Sequence, residues 1–289
     1  MIGRFLAGIT VALLVLSDGT AHAYCRSTTV PDTRGACPAD CGHAGIPLAW
    51  HKRKFSYAFN EKGFPGIDDA ALRRMIAASI APWEQVTCDG KAVGIESTAE
   101  LATTALADGP KQEEPNPNVI VHLDAAEWDA RPDLPTHAFA ITAVWFVRQS
   151  GAIIGADMMF NGGMGPFTEC PEAGCPATDR HADLRNVATH EFGHFLGLEH
   201  SAVADSTMWC SGEVGEVSKR SLAPDDIAAL CDIYPPEEDA PLLHEGSKAN
   251  ACALAAESDP SWLALLVLLM LGRRGARPRG VTSLRCRSW

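Results

Sequence analysis

Hydrophobic and polar positions change period several times along this chain. Phe55, Tyr57 and Phe59 alternate with polar residues, which predicts a strand. Leu72, Met75, Ile76, Ile80 and Trp83 fall at helical spacing behind a capping pair, Asp68-Asp69, so a helix is expected up to about Val86. A strand is expected near 93–97, a loop over 105–117, and a short apolar strand over Asn118–Leu123. Residues 141–147 and 152–160 flank Arg148-Gln149-Ser150-Gly151 and read as a hairpin. A Gly- and Cys-rich loop follows over 161–179. A helix starts near Asp183, with Leu184, Val187, Ala188 and Phe195 on its apolar side, and stops near Gly197. The last helix begins around Pro224. Asp225-Asp226 sit at the positive end of its dipole, and it stops before Pro235-Pro236. The order strand, helix, several strands, two helices implies an α+β domain.

The two ends carry other patterns. Arg4, the apolar run 5–16 and Ala21-His22-Ala23 read as a secretory signal over 1–23, with Tyr24 the first mature residue. Near the other end, Cys252 precedes a polar spacer, ten apolar residues at 262–271 and then Arg273-Arg274. Ten residues are too few to span a bilayer. This arrangement resembles the MYXO-CTERM sorting tails, which implies surface sorting with Cys252 as the processing or lipidation site. The chain departs from that pattern by continuing to Trp289. The expected organisation is a signal peptide (1–23), a Cys-rich segment (24–50), a catalytic domain (51–236), an acidic linker (237–251) and a sorting or anchor segment (252–289).

Composition narrows the class. The 289 residues carry a formal charge of −12. Six arginines lie after residue 252, so the body is more acidic still. Such a surface repels phosphate backbones, which argues against nucleic acid as a partner. Eight of the ten cysteines lie in the body, and an even count in an exported chain points to disulfides. Cys210–Cys231 and Cys170–Cys175 are the expected pairs, within about 105 formal connectivities.

The chemistry sits at 190–200, which reads HEFGHFLGLEH. On a helix, residues four apart share a face, so His190 and His194 can hold one cation together. Glu191 follows the first of them and is placed to act on a water without ligating the metal. Gly197 lets the chain leave the helix at positive φ, which brings His200 to the same metal. Three imidazoles leave the open fourth position of a catalytic zinc site. H-E-x-x-H alone arises by chance in about one chain in 100 of this length; with Gly197 and His200 the figure falls to about one in 100,000.

This motif resembles that of the metzincin metalloproteases, in particular their matrixin-like branch, and Ser201 after the third His is similar to that branch. The resemblance implies a mixed, mostly parallel twisted sheet with an active-site helix and a C-terminal helix. It implies one catalytic zinc on His190, His194 and His200, Glu191 as the catalytic base, and Met208 as the Met-turn residue beneath the metal. It further implies protein or peptide substrates, a monomer, and a secreted or cell-surface location, with transient membrane association through the tail. His122, Asp124 and His137 form a second group to weigh for a structural Ca2+ or second Zn2+, against the plainer reading as strand and loop residues. Asp157 is weighed likewise for contact with a loop or a calcium ion, against a solvated or hydrogen-bonded carboxylate. Arg34-Gly35-Ala36-Cys37-Pro38 has the composition of the family's Cys switch in the wrong order, so Cys37 reads better as a disulfide half. A non-catalytic binding protein on the same scaffold and a zinc hydrolase acting on another bond remain the alternatives.

Overall fold

The computed structural model describes residues 24–30, 37, 41, 44–100, 118–236 and the backbone of 281–285. The expected signal peptide, the loop at 105–117, the linker, Cys252 and the apolar run at 262–271 lie outside them.

In chain order the elements begin with β1 (Cys25–Arg26), β2 (Ala49–Trp50), β3 (Lys54–Phe59) and α1 (Asp69–Glu84). A small hairpin follows, β4 (Thr87–Cys88) and β5 (Lys91–Ala92), then β6 (Glu96–Ala99), β7 (Asn118–Leu123) and α2 (Ala125–Asp129). Next come β8 (Ala140–Val147), β9 (Ala152–Asn161), β10 (Phe167–Thr168), β11 (Ala182–Asp183) and α3 (Leu184–Phe195). The last are β12 (Leu198–Glu199), α4 (Pro224–Ile233) and β13 (Val281–Arg285).

The main sheet runs β13-β8-β9-β7-β3-β6, with β2 pairing the start of β9. Strands β9, β7, β3 and β6 are parallel, and β8 is antiparallel to β9. This is the mixed, mostly parallel sheet that the resemblance implied. Both faces are covered, which explains why Val119-Ile120-Val121 in β7 run apolar without alternation. Ile120 joins the core beneath the helices, whereas Val119, Val121 and Leu123 pack with Trp128, Ile141 and Trp145 on the other face.

Helix α1 forms where its cap and spacing predicted. Asp68 accepts from the Ala71 amide at 2.8 Å. The buried stripe Leu72, Met75, Ile76, Ile80 and Trp83 faces α3. Trp83 Nε1 donates to the Thr189 carbonyl at 2.9 Å, which fixes the sliding position of α1 against α3. The strand expected at 93–97 is displaced: pairing occurs at Lys91–Ala92 and again at Glu96–Ala99. Gly94 stands between them with φ +75°, outside strand geometry. The short helix α2 was not anticipated. Its signature, Asp124 with Glu127 three residues on, is a reciprocal capping box in the structure.

The disulfides correct one expectation. Cys170–Cys175 is present, but Cys210 bonds Cys37 and Cys231 bonds Cys88. Cys25 bonds Cys41. Proximity in sequence misled at Cys210 because α4 turns Cys231 toward the β4 hairpin. Cys37 is a disulfide half, as its sequence context suggested, and it staples the N-terminal segment to the loop after Met208.

Candidate metal centre

Helix α3 is fixed at both ends before it presents anything. At its start Asp183 accepts from the Asn186 amide at 2.7 Å. The Arg220 guanidinium holds both oxygens of that carboxylate, and Asp183 draws its pKa upward. At the far end two carbonyls that no helical turn can satisfy find partners. Trp50 Nε1 donates to Phe195 O and the Tyr234 hydroxyl to Leu196 O, each at 2.8 Å. Gly197 then leaves at φ +97°, where a Cβ would stand 2.6 Å from the Leu48 carbonyl oxygen. Both the turn and the close approach require glycine.

The chain reverses through Leu198 and Glu199 and carries His200 back to the helix. His190, His194 and His200 are buried, and their ligand atoms lie within 4.8 Å of one another. His190 Nδ1 stands 2.7 Å from Thr207 O, and His194 Nδ1 stands 3.0 Å from Leu198 O. A carbonyl can only accept, so each Nδ1 carries its ring's hydrogen and each Nε2 keeps its lone pair for a metal. His194 Nε2 is buried with no hydrogen-bond partner among the described residues. Burial, ahead of repulsion from Lys219 and the neighbouring histidines, pushes His190 well below the ordinary histidine value. Burial also takes His194 down to about 4. Both rings are therefore neutral at pH 7, which is the ligating form. Three imidazoles held this closely, two of them neutral, fit a zinc ion.

Met208 packs against α3 at Gly193. The reason is local: a Cβ on Gly193 would fall 2.1 Å from Met208 Sδ. The glycine inside the motif thus admits the Met208 side chain, a role not read from the sequence. Gly193→Ala is expected to displace Met208 and destabilise the fold by about 1–3 kcal/mol. Urea unfolding checks this, and a loss below about 0.5 kcal/mol would remove the steric account.

A sequence profile of the Matrixin family matches residues 49–235. The chain belongs to the matrixin family. Similar proteins include Neutrophil collagenase of Homo sapiens, 33% identical over 113 residues, covering 39% of this chain and 20% of the relative. Matrix metalloproteinase-16 of Mus musculus is 27% identical over 220 residues, covering 73% and 32%. Metalloendoproteinase 5-MMP of Arabidopsis thaliana is 46% identical over 52 residues, covering 18% and 14%. The chain therefore spans about a third or less of the length of these relatives.

This matrixin holds the turn at Ser206-Thr207-Met208 by a device that the sequence concealed. Asp226, read as a helix-dipole residue, is fully buried. It accepts from the Ser206 hydroxyl (2.7 Å) and from the amides of Thr207 (2.8 Å), Met208 (3.1 Å) and Ala223 (2.8 Å). Its neighbour Asp225 accepts from the Ser201 hydroxyl at 2.6 Å. The turn is thereby tied to α4 and to the residue after the third histidine.

Beyond the turn, the segment 209–211 is pinned by the Cys37–Cys210 bond and by Lys219. The Lys219 ammonium, buried, donates to the carbonyls of Trp209 and Ser211. Burial outweighs the attraction of the Glu216, Glu191 and Asp226 carboxylates and pushes its pKa from 10.5 down to about 8. Between those values the unfolded chain holds a proton that the folded chain has released. Stability from this group therefore rises with pH from about 8 to about 10.5. Lys219→Met is expected to remove that rise, measured as the difference between urea midpoints of variant and wild type at pH 7.5 and 10. Parallel pH profiles would refute the shift.

The second weighed group does not assemble. His122 and Asp124 line one cavity of about 290 Å³ with Phe64 and Phe167, and His137 is not among its lining residues. Asp124 is the α2 cap. Among the described residues, the three histidines at 190, 194 and 200 are the one group of three or more His, Cys, Asp or Glu side chains close enough to share a metal. Asp157 is buried and accepts from the Val119 amide at 2.7 Å, which fits the hydrogen-bonded reading.

Proposed function

We propose that this chain is an exported zinc-dependent endopeptidase with Glu191 as general base. The observation that carries the reading is the convergence of three imidazoles, two of them held neutral, beside a buried glutamate on the same helix. Bound to those histidines, zinc would supply a Lewis acid and lower the pKa of a coordinated water toward 7. Glu191 takes the proton of the attacking water and delivers it to the nitrogen of the departing amine. The hydrogens on Nδ1 of His190 and His194, aimed at Thr207 O and Leu198 O, keep both rings in the ligating orientation.

An extended substrate would add as a strand along β8, on the side away from β9. The backbone of β13 pairs antiparallel along that side of β8, Ser283 opposite Trp145, so this side accepts an added strand and a substrate would take the place of β13 there. Export is supported by the four disulfides, which persist in oxidising compartments. No helix of the described residues is long and apolar enough to cross a membrane. The signal at 1–23 and the tail with Cys252 remain part of this proposal on their sequence patterns alone.

Casein hydrolysis by the purified protein, with 1,10-phenanthroline and then added zinc, tests the reading. Activity is expected to vanish with the chelator and return with zinc. Chelator-insensitive cleavage would overturn it.

A further inference from the structure

Strand β8 reads Ala140-Ile141-Thr142-Ala143-Val144-Trp145-Phe146-Val147, with one polar side chain in eight. Thr142 is fully buried. Ile141, Ala143 and Trp145 belong to the core on the far face of the sheet, whereas Ala140, Val144 and Phe146 belong to the core under the helices. The two-residue period of a strand therefore turns Thr142 toward α3. There its hydroxyl lies 2.7 Å from Glu191 Oε2 and 3.1 Å from the Glu191 carbonyl oxygen. A threonine hydroxyl has one proton to give. The carboxylate is the nearer acceptor, and a hydrogen bond to a charged oxygen is about twice as strong as one between neutral groups.

Packing alone does not explain a threonine here. Valine has the same shape and suits a buried strand. A hydroxyl taken out of water loses its solvation unless it meets a partner. Its partner is the one carboxylate that the proposed chemistry uses, and it reaches that group from a different element, 49 residues away in sequence.

We infer that Thr142 is a positioning residue for Glu191: its hydroxyl fixes the carboxylate through Oε2 and holds it in the orientation that proton transfer requires. The inference rests on the reading of Glu191 as general base. A buried glutamate side chain has three torsions to settle. Helix α3 fixes where that side chain begins, but only a contact from the sheet fixes where it ends.

The test compares Thr142→Val, Thr142→Ser and Thr142→Ala with wild type and Glu191→Gln, each carrying one zinc, using labelled casein as substrate. Thr142→Val and Thr142→Ala are expected to lower kcat by about 10–100-fold, the range for losing a hydrogen bond to a charged group, with KM within about twofold. Thr142→Ser keeps the hydroxyl and is expected to stay within about threefold of wild type. Serine and alanine differ only by that oxygen, so this pair decides the question even where valine misfolds. A second readout needs no turnover: the carboxylate infrared band that Glu191→Gln removes from the metal-free protein should shift in Thr142→Ala and stay in place in Thr142→Ser. Wild-type kcat in Thr142→Ala beside an inactive Glu191→Gln overturns this inference alone. Equal losses in Thr142→Ser and Thr142→Ala, or an unmoved band, do the same. An active Glu191→Gln overturns the base reading and this inference with it.

Discussion

Glu191→Gln lowers casein hydrolysis by about 10³-fold or more while the protein keeps one zinc and its fold. General acid–base catalysis is worth about 10²–10⁴-fold, and here a single group serves both the attack and the departure of the amine. The substitution is a clean probe for structural reasons. Glutamine keeps the volume of the buried side chain and can still accept from the Thr142 hydroxyl at 2.7 Å. His190 and His194 are oriented by the backbone carbonyls of Thr207 and Leu198, not by Glu191, so their orientation does not depend on the carboxylate. Turnover, zinc content and circular dichroism on the same preparation give the result. Residual activity within tenfold of wild type removes Glu191 from the base role. Lost zinc together with lost activity would instead mark it as a structural support of the site.

Asp226→Ala carries the largest expected loss of stability, about 3–5 kcal/mol. The carboxylate is fully buried and satisfies three amides and one hydroxyl. Each donor stranded in a buried site costs about 1–3 kcal/mol, and partial relaxation recovers some of the total. A fall in Tm of roughly 10 °C is the corresponding shift for a domain of this size, with the disulfides left intact. Asp225→Ala is the internal control. Asp225 accepts from one partly buried hydroxyl, so its loss should stay near 1 kcal/mol. Equal effects at the two positions would contradict the anchoring role of Asp226. The displaced Met-turn should also loosen the metal, because Thr207 both orients His190 and donates its amide to Asp226.

Much of the fold follows from local pattern. The elements β3, α1, β7, the β8–β9 hairpin, α3 and α4 stand where period and caps predicted them, because each has a strong internal signal. Asp68 and Asp183 bond the amides that their positions implied. The elements that were missed have no such signal. β1 and β12 are two residues each and exist only as a pair, Cys25 with Glu199 and Arg26 with Leu198, with 171 residues or more between the partners. β2 likewise exists because β9 offers it an edge. The displaced strand near 93–97 shows the same limit, since pairing partners rather than composition set its ends.

The sequence by itself determined the convergence of the three histidines, the position of the glutamate and the turn glycine, because these depend on helical spacing and on φ at one residue. Only the tertiary structure decided how that triad is held. Gly193 is spaced by a sulfur 15 residues later, Thr142 meets Glu191 from the sheet, Asp226 gathers the turn from another helix, and Cys37 and Cys88 choose partners 173 and 143 residues away. Ligand spacing is a short-range property that one helix can encode. Hydrogen-bond satisfaction in a buried interior is a long-range one, and it is settled only when the elements have packed.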